Sequence, residues 1–237
     1  MSSFWEIFAN RHVVLPVIHL ETEAQALRNA EIARRAGCDG VFLINHEPAS
    51  GPRIPAADLL KIHQTVCQAH PDWWVGVNCL DLSPAQACQA VSDQVAGLWV
   101  DNALIDERRA DQPAAAAALA IRRQRAWPGL YFGGVAFKYQ RPVADLAQAA
   151  HLAGPYIDVI TTSGPATGQA AERDKIATMK RAIGRTPLAI ASGISPDNVT
   201  AYLDLADCFL VATAISRDFS HLEPALVQRL VQTIRAY

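Results

Sequence analysis

The feature that most constrains the fold is a regular alternation of short apolar runs with helical patterns. The apolar runs are rich in Val, Ile and Phe, and they are continuous, as expected of parallel strands that are buried on both faces. Such alternation predicts βαβ units and a parallel sheet. We count eight units, with strands predicted over 13–20, 40–45, 74–80, 97–102, 130–137, 157–162, 187–191 and 208–213.

Helical patterns fill the intervals between these runs. Ile176, Met179 and Ile183 repeat at helical spacing, which indicates a stripe that faces the core. Ser83-Pro84 is typical of an N-cap followed by proline at the first helical position. Helices are predicted over 21–36, 56–69, 143–153, 172–183 and 226–234, and others are predicted to begin at 84, in the alanine run 114–118 and at 195–197.

Eight units without a break in composition predict one α/β domain over residues 1–237, a single (β/α)8 TIM barrel. Such barrels typically need about 250 residues, which is close to the length of this chain. An open doubly wound sheet is the alternative, and eight strands without a long insertion fit it less well. The opening segment, with Phe4, Trp5 and Phe8, is predicted to be either a short helix at the barrel bottom or a frayed arm.

Charge and cysteine content narrow the class of partner. The formal net charge is -2 and no basic stripe occurs, so nucleic acid and anionic membranes are not favoured. No stretch reaches the roughly 18 apolar residues of a membrane span, and the N-terminus lacks the apolar core of a signal peptide. The cysteines form no CxxC pair. We expect a cytoplasmic protein with a small-molecule ligand, and self-association into a homo-oligomer is left open.

Polar residues concentrate at the predicted carboxyl ends of the strands, where active sites of such barrels lie. Buried polar groups cost free energy unless they are paired, so this concentration indicates a ligand site. The candidates for acid–base catalysis are His19, Glu47, Asp101 and Lys138. His19 has the alternative of a satisfied structural histidine, and Lys138 that of a surface lysine. The further candidates for ligand binding are Asn45, Asn78, Thr162, Gly164 and Thr167.

Two loops near the C-terminus carry the sharpest local signal. Ser192 and Gly193 follow predicted strand seven, and Ala212 and Thr213 follow predicted strand eight. Small residues let main-chain N–H groups approach an anion closely, and phosphate sites of ribulose-phosphate-binding barrels use these two loops. The loops therefore predict a phosphate site, with the alternative that Gly193 only makes a tight turn. The Gly-rich stretch 163–168 is predicted to be a lid over the ligand or an ordinary surface loop.

A metal-dependent reaction and covalent catalysis are less favoured than acid–base catalysis. His46-Glu47 and Asp101-Asn102 carry oxygen and nitrogen ligands for a hard cation, but no pair has a recognisable spacing. No metal or other cofactor is expected. Ser163 and the cysteines lack a local nucleophile motif.

Several of these strand-end motifs resemble those of the BtpA family, barrel proteins named for a factor in photosystem I biogenesis. The likeness runs over nearly the whole chain, and its most specific parts are Phe137-Lys138, the TTSGPATG run that ends at Gly168, and the SGISPDNV run that begins at Ser192. The VIHL run at His19, the LINH run at Asn45 and the GVNCL run at Asn78 are also similar to family motifs. The resemblance implies a (β/α)8 barrel with this set of strand-end residues.

The chain departs from the family pattern at four positions. Ala212 stands where the family usually has glycine, and Arg217 where it has lysine. Tyr139 replaces a histidine beside Lys138, and Gly134 falls near a position where the family tends to carry an aspartate.

Two functions follow from these observations. The first is an enzyme that acts on a small phosphorylated metabolite, a sugar phosphate or a phosphoribosyl compound, by isomerase, lyase, aldolase or phosphoribosyl-transfer chemistry. Ser192, Gly193 and Thr213 would hold the phosphate in that enzyme. The second is a non-catalytic assembly or regulatory factor that keeps the barrel, and an exposed apolar patch would favour it.

Overall fold

The computed structural model describes residues 3–47 and 51–237, in which eight parallel strands close into a barrel in sequence order. Strand β8 pairs with β1 from Val13 opposite Cys208 to Pro16 opposite Val211, so the sheet has no open edge. The predicted TIM barrel is confirmed, and the open sheet is excluded. The strands are Val13–His19 (β1), Gly40–Ile44 (β2), Trp74–Asn78 (β3), Gly97–Val100 (β4), Leu130–Gly134 (β5), Val159–Ser163 (β6), Leu188–Ala191 (β7) and Cys208–Val211 (β8).

Helices alternate with the strands over most of the chain. They are Phe4–Ile7 (α1), Glu23–Arg35 (α2), Ala56–Ala69 (α3), Pro84–Ala90 (α4), Pro113–Gln124 (α5), Leu146–Ala153 (α6), Arg173–Ala182 (α7) and Pro224–Arg235 (α8). The sequence predicted a further helix from 195–197, and this prediction was wrong, because only a 3-10 turn over Val199–Tyr202 forms there. The connection from β7 to β8 is the shortest crossover in the barrel, and 3-10 turns commonly serve as such connectors.

Local side chains fix where several helices begin. The hydroxyl of Thr22 accepts a hydrogen bond from the N–H of Gln25, and Asp145 caps α6 through the N–H of Gln148. Ser83 and Gln86 cap each other at the start of α4, with Pro84 at the first helical position. The predicted N-cap at Ser83-Pro84 is confirmed, and its basis is the pairing of main-chain donors that the first helical turn leaves free.

The strands separate two apolar clusters because successive side chains point to opposite faces. On β1, Val13, Leu15 and Val17 lie in a cluster inside the barrel, whereas Val14 and Ile18 lie in the cluster between barrel and helices. All of these side chains are buried. Burial of each stabilises the fold by about 1.5–3 kcal/mol relative to exposure.

Aromatic rings close the barrel at the amino ends of the strands. Phe4 and Phe8 are buried, and the Phe8 ring lies 5.5 Å from that of Trp74, at the start of β3. The prediction of a short helix at the barrel bottom is confirmed, since α1 carries Phe4 into this cluster. Trp73 points the other way, and its Nε1 donates to the carbonyl of Cys38.

In the part of the chain that the structure describes, no helix combines the length and the apolar character that crossing a bilayer requires.

We predict that Gly97→Ala destabilises the fold, because a Cβ at this position would lie 2.2 Å from Cζ2 of the buried Trp74 ring. Overpacking of this kind costs about 1–3 kcal/mol of the free energy of unfolding. Urea denaturation measures the change. Gly154→Ala is the control, because its Cβ would meet no atom closer than 3.6 Å. Equal stability of the two variants would contradict the packing described here.

Candidate functional site

A cavity of about 210 Å³ opens at the carboxyl ends of the strands. Its floor is made by inward-facing side chains of β1, β2, β4, β7 and β8, namely Val17, Ile44, Trp99, Ala191 and Leu210. The rim lies at the strand ends and in the loops beyond them, and it is mostly polar. It includes His19, His46, Asp101, Lys138, Thr167, Ser192, Gly193, Ala212 and Thr213. The site is therefore an apolar cup with ionisable groups and loop backbone around its mouth.

The loops after β7 and β8 meet at this cavity. Ser192 and Gly193 both adopt the left-handed backbone conformation, with φ of 69° and 73°. Among the described residues, the main-chain N–H groups of Gly193, Ile194 and Thr213 donate to no acceptor. Gly193 is half-buried and Ile194 is buried, and main-chain donors in such positions are normally paired. Together with the N–H of the exposed residue Thr213, these groups at the cavity are suited to an anion.

Two glycines bring the loop after β6 against the loop after β7. A Cβ on Gly193 would lie 2.2 Å from the nitrogen of Ala170, and one on Gly164 would lie 2.0 Å from the carbonyl oxygen of Gln169. The Gln169–Ala170 peptide is thus packed between the two glycines. This contact carries Thr167 to the cavity wall, where it lies beside Lys138.

Lys138 supplies the positive charge of the rim. Its Nζ donates to Oγ1 of Thr167 at 3.0 Å and to Oγ of Ser192 at 3.1 Å. No carboxylate of the described chain lies within 4.0 Å of this ammonium group. The main-chain N–H of Lys138 donates to Oγ of Ser163 at 2.8 Å, which ties the loop after β5 to the end of β6. Lys138 is therefore a fixed cation with only neutral partners.

Asp101 lies directly beyond β4 and is held by its neighbour strand. Nδ2 of Asn78 donates to its Oδ1 at 2.9 Å, and Nε2 of Gln140 donates to its carbonyl oxygen at 2.7 Å. Burial raises the pKa of the Asp101 carboxyl above its ordinary value, and the Asn78 hydrogen bond and the charge of Lys138 offset part of that rise. Because its pKa is raised, the Asp101 carboxylate is a stronger base than an exposed one, which favours a role in proton transfer.

His19 lies at the end of β1 against the ring of Phe219. The two rings are stacked with centroids 4.1 Å apart, and Nδ1 of His19 lies 2.9 Å from the carbonyl oxygen of Phe219. Because a carbonyl only accepts, we infer that Nδ1 carries the hydrogen and that Nε2 of the neutral ring can accept one. Burial lowers the pKa of His19 to about 4, so the ring is neutral at pH 7.

The segment that presents Phe219 is itself held by α2. The carbonyl oxygen of Ser220 accepts from Nε2 of Gln25 and Nδ2 of Asn29, and the N–H of Leu222 donates to Oδ1 of Asn29. These buried contacts fix the loop after β8, and with it the side of the cavity that carries His19.

The structure places several predicted ligand residues away from the cavity. Asn45 is buried and fully engaged, since its amide donates to Ile54 and Asp81 and its oxygen accepts from the N–H of Leu80. Thr162 donates to the carbonyl of Ala136, 3.2 Å away. These two residues fix the ends of β2 and β6.

Three further predicted site residues, Glu47, Asn78 and Gly164, also do not line the cavity. The side chain of Glu47 is 75% exposed and faces Arg53, 3.5 Å away, so it is not at the cavity. Asn78 is also outside the cavity wall but holds Asp101. Gly164 serves the packing of the loop after β6. The catalytic and binding roles of the residues that do line the cavity stay predictions.

For four residues at or beside the site the sequence predicted no catalytic or phosphate-binding role, although His46 was considered as a ligand of a hard cation. Trp99 was detectable in principle, because it precedes Asp101 by two positions and so shares its face of β4. His46 and Tyr139 follow strands β2 and β5 and line the cavity. Phe219 had no signal, since 200 residues separate it from the His19 ring that it covers.

Across residues 3–47 and 51–237, no group of three or more His, Cys, Asp or Glu side chains is arranged to hold a metal ion.

Comparison with known proteins gives a family and a set of structural neighbours. The model of the BtpA family matches residues 21–236, nearly the whole chain. An uncharacterised protein of Thermococcus kodakarensis is 41% identical over 61 residues, which is 26% of this chain and 23% of that protein. The match therefore spans less than a quarter of the relative's length.

Two solved structures illustrate the likeness in fold. Phosphoribosyl anthranilate isomerase of Thermus thermophilus superposes with a TM-score of 0.65 at 15% identity, covering 94% of this chain and 98% of its own. The (S)-3-O-geranylgeranylglyceryl phosphate synthase of Thermoplasma acidophilum, solved with its substrate sn-glycerol-1-phosphate, gives a TM-score of 0.71 at 13% identity over 100% of both chains. At these identities the likeness concerns the barrel fold.

We predict that His19 remains neutral until the pH approaches about 4 and carries its hydrogen on Nδ1, because the ring is buried against Phe219. Two-dimensional NMR of the imidazole nitrogens reports both the tautomer and the titration. Phe219→Ala removes the covering ring but keeps the carbonyl, so it should move the pKa of His19 up toward 6.5. A wild-type titration already near 6.5 would contradict the geometry.

Proposed function

This chain belongs to the BtpA family, and from the geometry of its cavity we propose that it is an enzyme that binds a small phosphorylated metabolite at the mouth of the barrel. The observation that carries the proposal concerns the described residues: the Lys138 ammonium group, which pairs with no carboxylate among them, lines the same cavity as Gly193, Ile194 and Thr213, whose N–H groups have no acceptor among them.

A phosphate fits this wall for electrostatic reasons. A partly buried cation that contacts only hydroxyl groups is incompletely compensated, and an anion between it and the loop amides would gain charge-assisted hydrogen bonds. The hydroxyls of Thr167 and Ser192 lie 3.0 and 3.1 Å from Nζ of Lys138, so they are in reach of the same anion. The phosphate is therefore assigned to Lys138, Thr167, Ser192, Gly193 and Thr213.

The size of the cavity limits what the phosphate can be attached to. Pockets for drug-sized ligands typically measure about 300–1,000 Å³. A cavity of about 210 Å³ favours a smaller compound. A sugar phosphate, or a phosphoribosyl compound whose substituent extends out of the mouth, fits this limit.

The reacting end of the ligand would lie near Asp101 and His19. We assign Asp101 as the group that moves a proton, because it lines the cavity and its raised pKa makes the carboxylate a stronger base. In isomerase or aldolase-type chemistry, the Asp101 carboxylate takes a proton from the carbon beside a carbonyl. The electron pair of that C–H bond forms a C=C bond, and the carbonyl pair moves onto oxygen. The proton of the neighbouring hydroxyl group then moves to the enolate oxygen, and return of the proton from Asp101 to the former carbonyl carbon completes an isomerisation.

His19 and Lys138 would support this step without exchanging protons. The neutral His19 ring offers Nε2 as an acceptor for a substrate hydroxyl, and Lys138 stabilises negative charge at the mouth. The names of the two structural neighbours given above each refer to a phosphorylated compound. This agrees with the proposal by analogy of fold only.

A non-catalytic assembly or regulatory factor is the second candidate, and one observation favours it. Trp5 is 45% exposed and Ile7 is 37% exposed on α1, at the opposite end of the barrel from the cavity. Exposed apolar side chains of this kind mark interaction surfaces when they form larger patches. The convergent ionisable groups in the cavity make the enzyme the better supported candidate.

We predict that ribulose 5-phosphate and inorganic phosphate raise the melting temperature of the protein, and that Lys138→Met abolishes both shifts. At a concentration of 100 times Kd, a ligand of the folded state stabilises by about 2.7 kcal/mol, or roughly 5–10 °C for a chain of this size. Lys61→Met is the matched control, because Lys61 is exposed on α3 and pairs with Asp58. If no phosphorylated compound shifts the wild-type melting temperature, the proposed function is wrong.

We further predict that Asp101→Asn keeps phosphate binding but slows proton exchange of a bound ketose phosphate. NMR in heavy water measures the exchange of the C–H hydrogens beside the carbonyl of ribulose 5-phosphate. Loss of a positioned base typically costs about 10²–10⁴-fold in rate. The wild-type rate should rise with pH through the raised pKa of Asp101, because only the carboxylate accepts the proton. Exchange at the wild-type rate in Asp101→Asn would rule out this role.

A further inference from the structure

Tyr139, on the rim of the cavity, has a backbone conformation that tyrosine does not favour. It lies at the third position of a four-residue turn, which the N–H of Gln140 closes by donating to the carbonyl oxygen of Phe137 at 3.2 Å. Its φ is 63°, in the left-handed region. Turns that need a positive φ at this position favour glycine or asparagine. A tyrosine there costs free energy that the rest of the structure must offset.

Packing does not explain why a tyrosine occupies this position. Tyr139 is 77% exposed, so its ring contributes little to the core. The turn is held by Gln140 instead, whose Oε1 accepts from the N–H of Phe137 at 3.3 Å and whose Nε2 donates to the carbonyl oxygen of Asp101 at 2.7 Å. The side chain of Tyr139 therefore needs an explanation other than the stability of the turn.

The phenol group reaches the side chains around Lys138. Its hydroxyl oxygen lies 3.4 Å from Oγ1 of Thr167, which accepts a hydrogen bond from Nζ of Lys138 at 3.0 Å. The same Nζ lies 5.8 Å from the centre of the Tyr139 ring. Tyr139 also lines the cavity, and most of its surface is open to solvent. A ligand at Lys138 can therefore contact it.

The hydroxyl groups around Lys138 can donate hydrogen bonds to an anion. A lysine ammonium group only donates, so the oxygens of Thr167 and Ser192 accept from it and their own hydrogens can turn to another acceptor. The hydrogen bond with Thr167 lowers the pKa of the Tyr139 hydroxyl, and the charge of Lys138 acts in the same direction. A hydrogen bond from this hydroxyl to an ionised acceptor would be stronger than one to a neutral group.

We propose that Tyr139 is a phosphate-binding residue, whose hydroxyl donates a hydrogen bond to the phosphate group of the ligand at Lys138. This inference rests on the proposed function, because it adds a side chain to the same anion site.

The proposal gives the unfavourable backbone conformation a purpose. Tyr139 and Ser192 both line the cavity, and both have a left-handed φ without being glycine. Residues in such conformations are concentrated at ligand sites, where the position of a side chain matters more than the free energy of the turn. The left-handed turn places the phenol beside Thr167 and Lys138, and the hydrogen bonds of Gln140 keep it there.

Calorimetric titration of the full chain with inorganic phosphate tests this inference. Tyr139→Phe removes only the hydroxyl and keeps the ring and its exposed position. It should weaken the affinity for inorganic phosphate about 3- to 10-fold, the range expected for one net hydrogen bond. Wild-type affinity in Tyr139→Phe would overturn the inference.

Tyr237→Phe is the matched control. Tyr237 is also exposed, at 60%, but it lies at the amino end of the barrel, beside Arg11 and His12. Loss of its hydroxyl should leave the affinity for inorganic phosphate unchanged. An equal loss of affinity in both variants would contradict a local role of Tyr139.

Tyr139→Gly separates a role in ligand binding from a role in folding. Glycine adopts a positive φ without a steric penalty. This variant should therefore have a melting temperature equal to or above that of the wild type, while it binds inorganic phosphate more weakly. A melting temperature below that of the wild type would show that the ring serves the fold, and it would count against the inference.

The outcomes also distinguish this inference from the proposed function. If the wild type binds inorganic phosphate and Tyr139→Phe binds it equally well, the role of Tyr139 is wrong and the phosphate site remains. If the wild type binds neither inorganic phosphate nor ribulose 5-phosphate, the proposed function itself fails.

Discussion

The closed parallel sheet is the constraint on which the rest of this structure depends. Because β8 pairs with β1, every strand has one face turned to the barrel axis, and side chains two positions apart share that face. The inward residues of the lower layers fill the barrel with aromatic and aliphatic side chains. Polar groups are concentrated at the last inward position of the strands and in the loops beyond them, and the buried Thr161 on β6 is an exception. The same rule that builds the core therefore brings His19 and Asp101 to one cavity.

Packing between loops then determines the shape of that cavity. The Gln169–Ala170 peptide fits between Gly164 and Gly193 so closely that a Cβ on either glycine would overlap it. For the stretch 163–168, the sequence predicted either a lid over the ligand or an ordinary surface loop. In this structure the loop after β6 is part of the cavity wall through Thr167 and Gly168, and its far side packs on the loop after β7. A loop held in this way contributes a fixed surface and one hydroxyl neighbour, Thr167, to Lys138.

The sequence predicted the fold much more completely than the site, for physical reasons that particular residues illustrate. Continuous apolar runs identify buried parallel strands, so all eight strands were found, with errors at their ends. Their positions at strand ends also identified Asp101 and Lys138. Such a position does not predict whether a polar side chain lines the cavity or forms hydrogen bonds with neighbouring loops. Asn45 and Thr162 satisfied the same rule and turned out to hold loops together through their own hydrogen bonds. Phe219 lies on a loop whose position depends on Gln25 and Asn29 of a distant helix, and no local pattern reports such a contact.

An electrostatic interaction couples the proposed phosphate position at Lys138 to the proposed proton-transfer group, Asp101. Lys138 is one of the charges that lower the pKa of Asp101 against the effect of burial. A phosphate bound between Lys138 and the amides of the β7 and β8 loops would offset the positive field of that lysine. The pKa of Asp101 would then rise further, and its carboxylate would become a stronger base when the ligand is present. Water would be displaced from the cup by the same event, which strengthens each remaining electrostatic interaction. The phosphate, although distant from the reacting carbon, would in this way increase the basicity of the group that reacts.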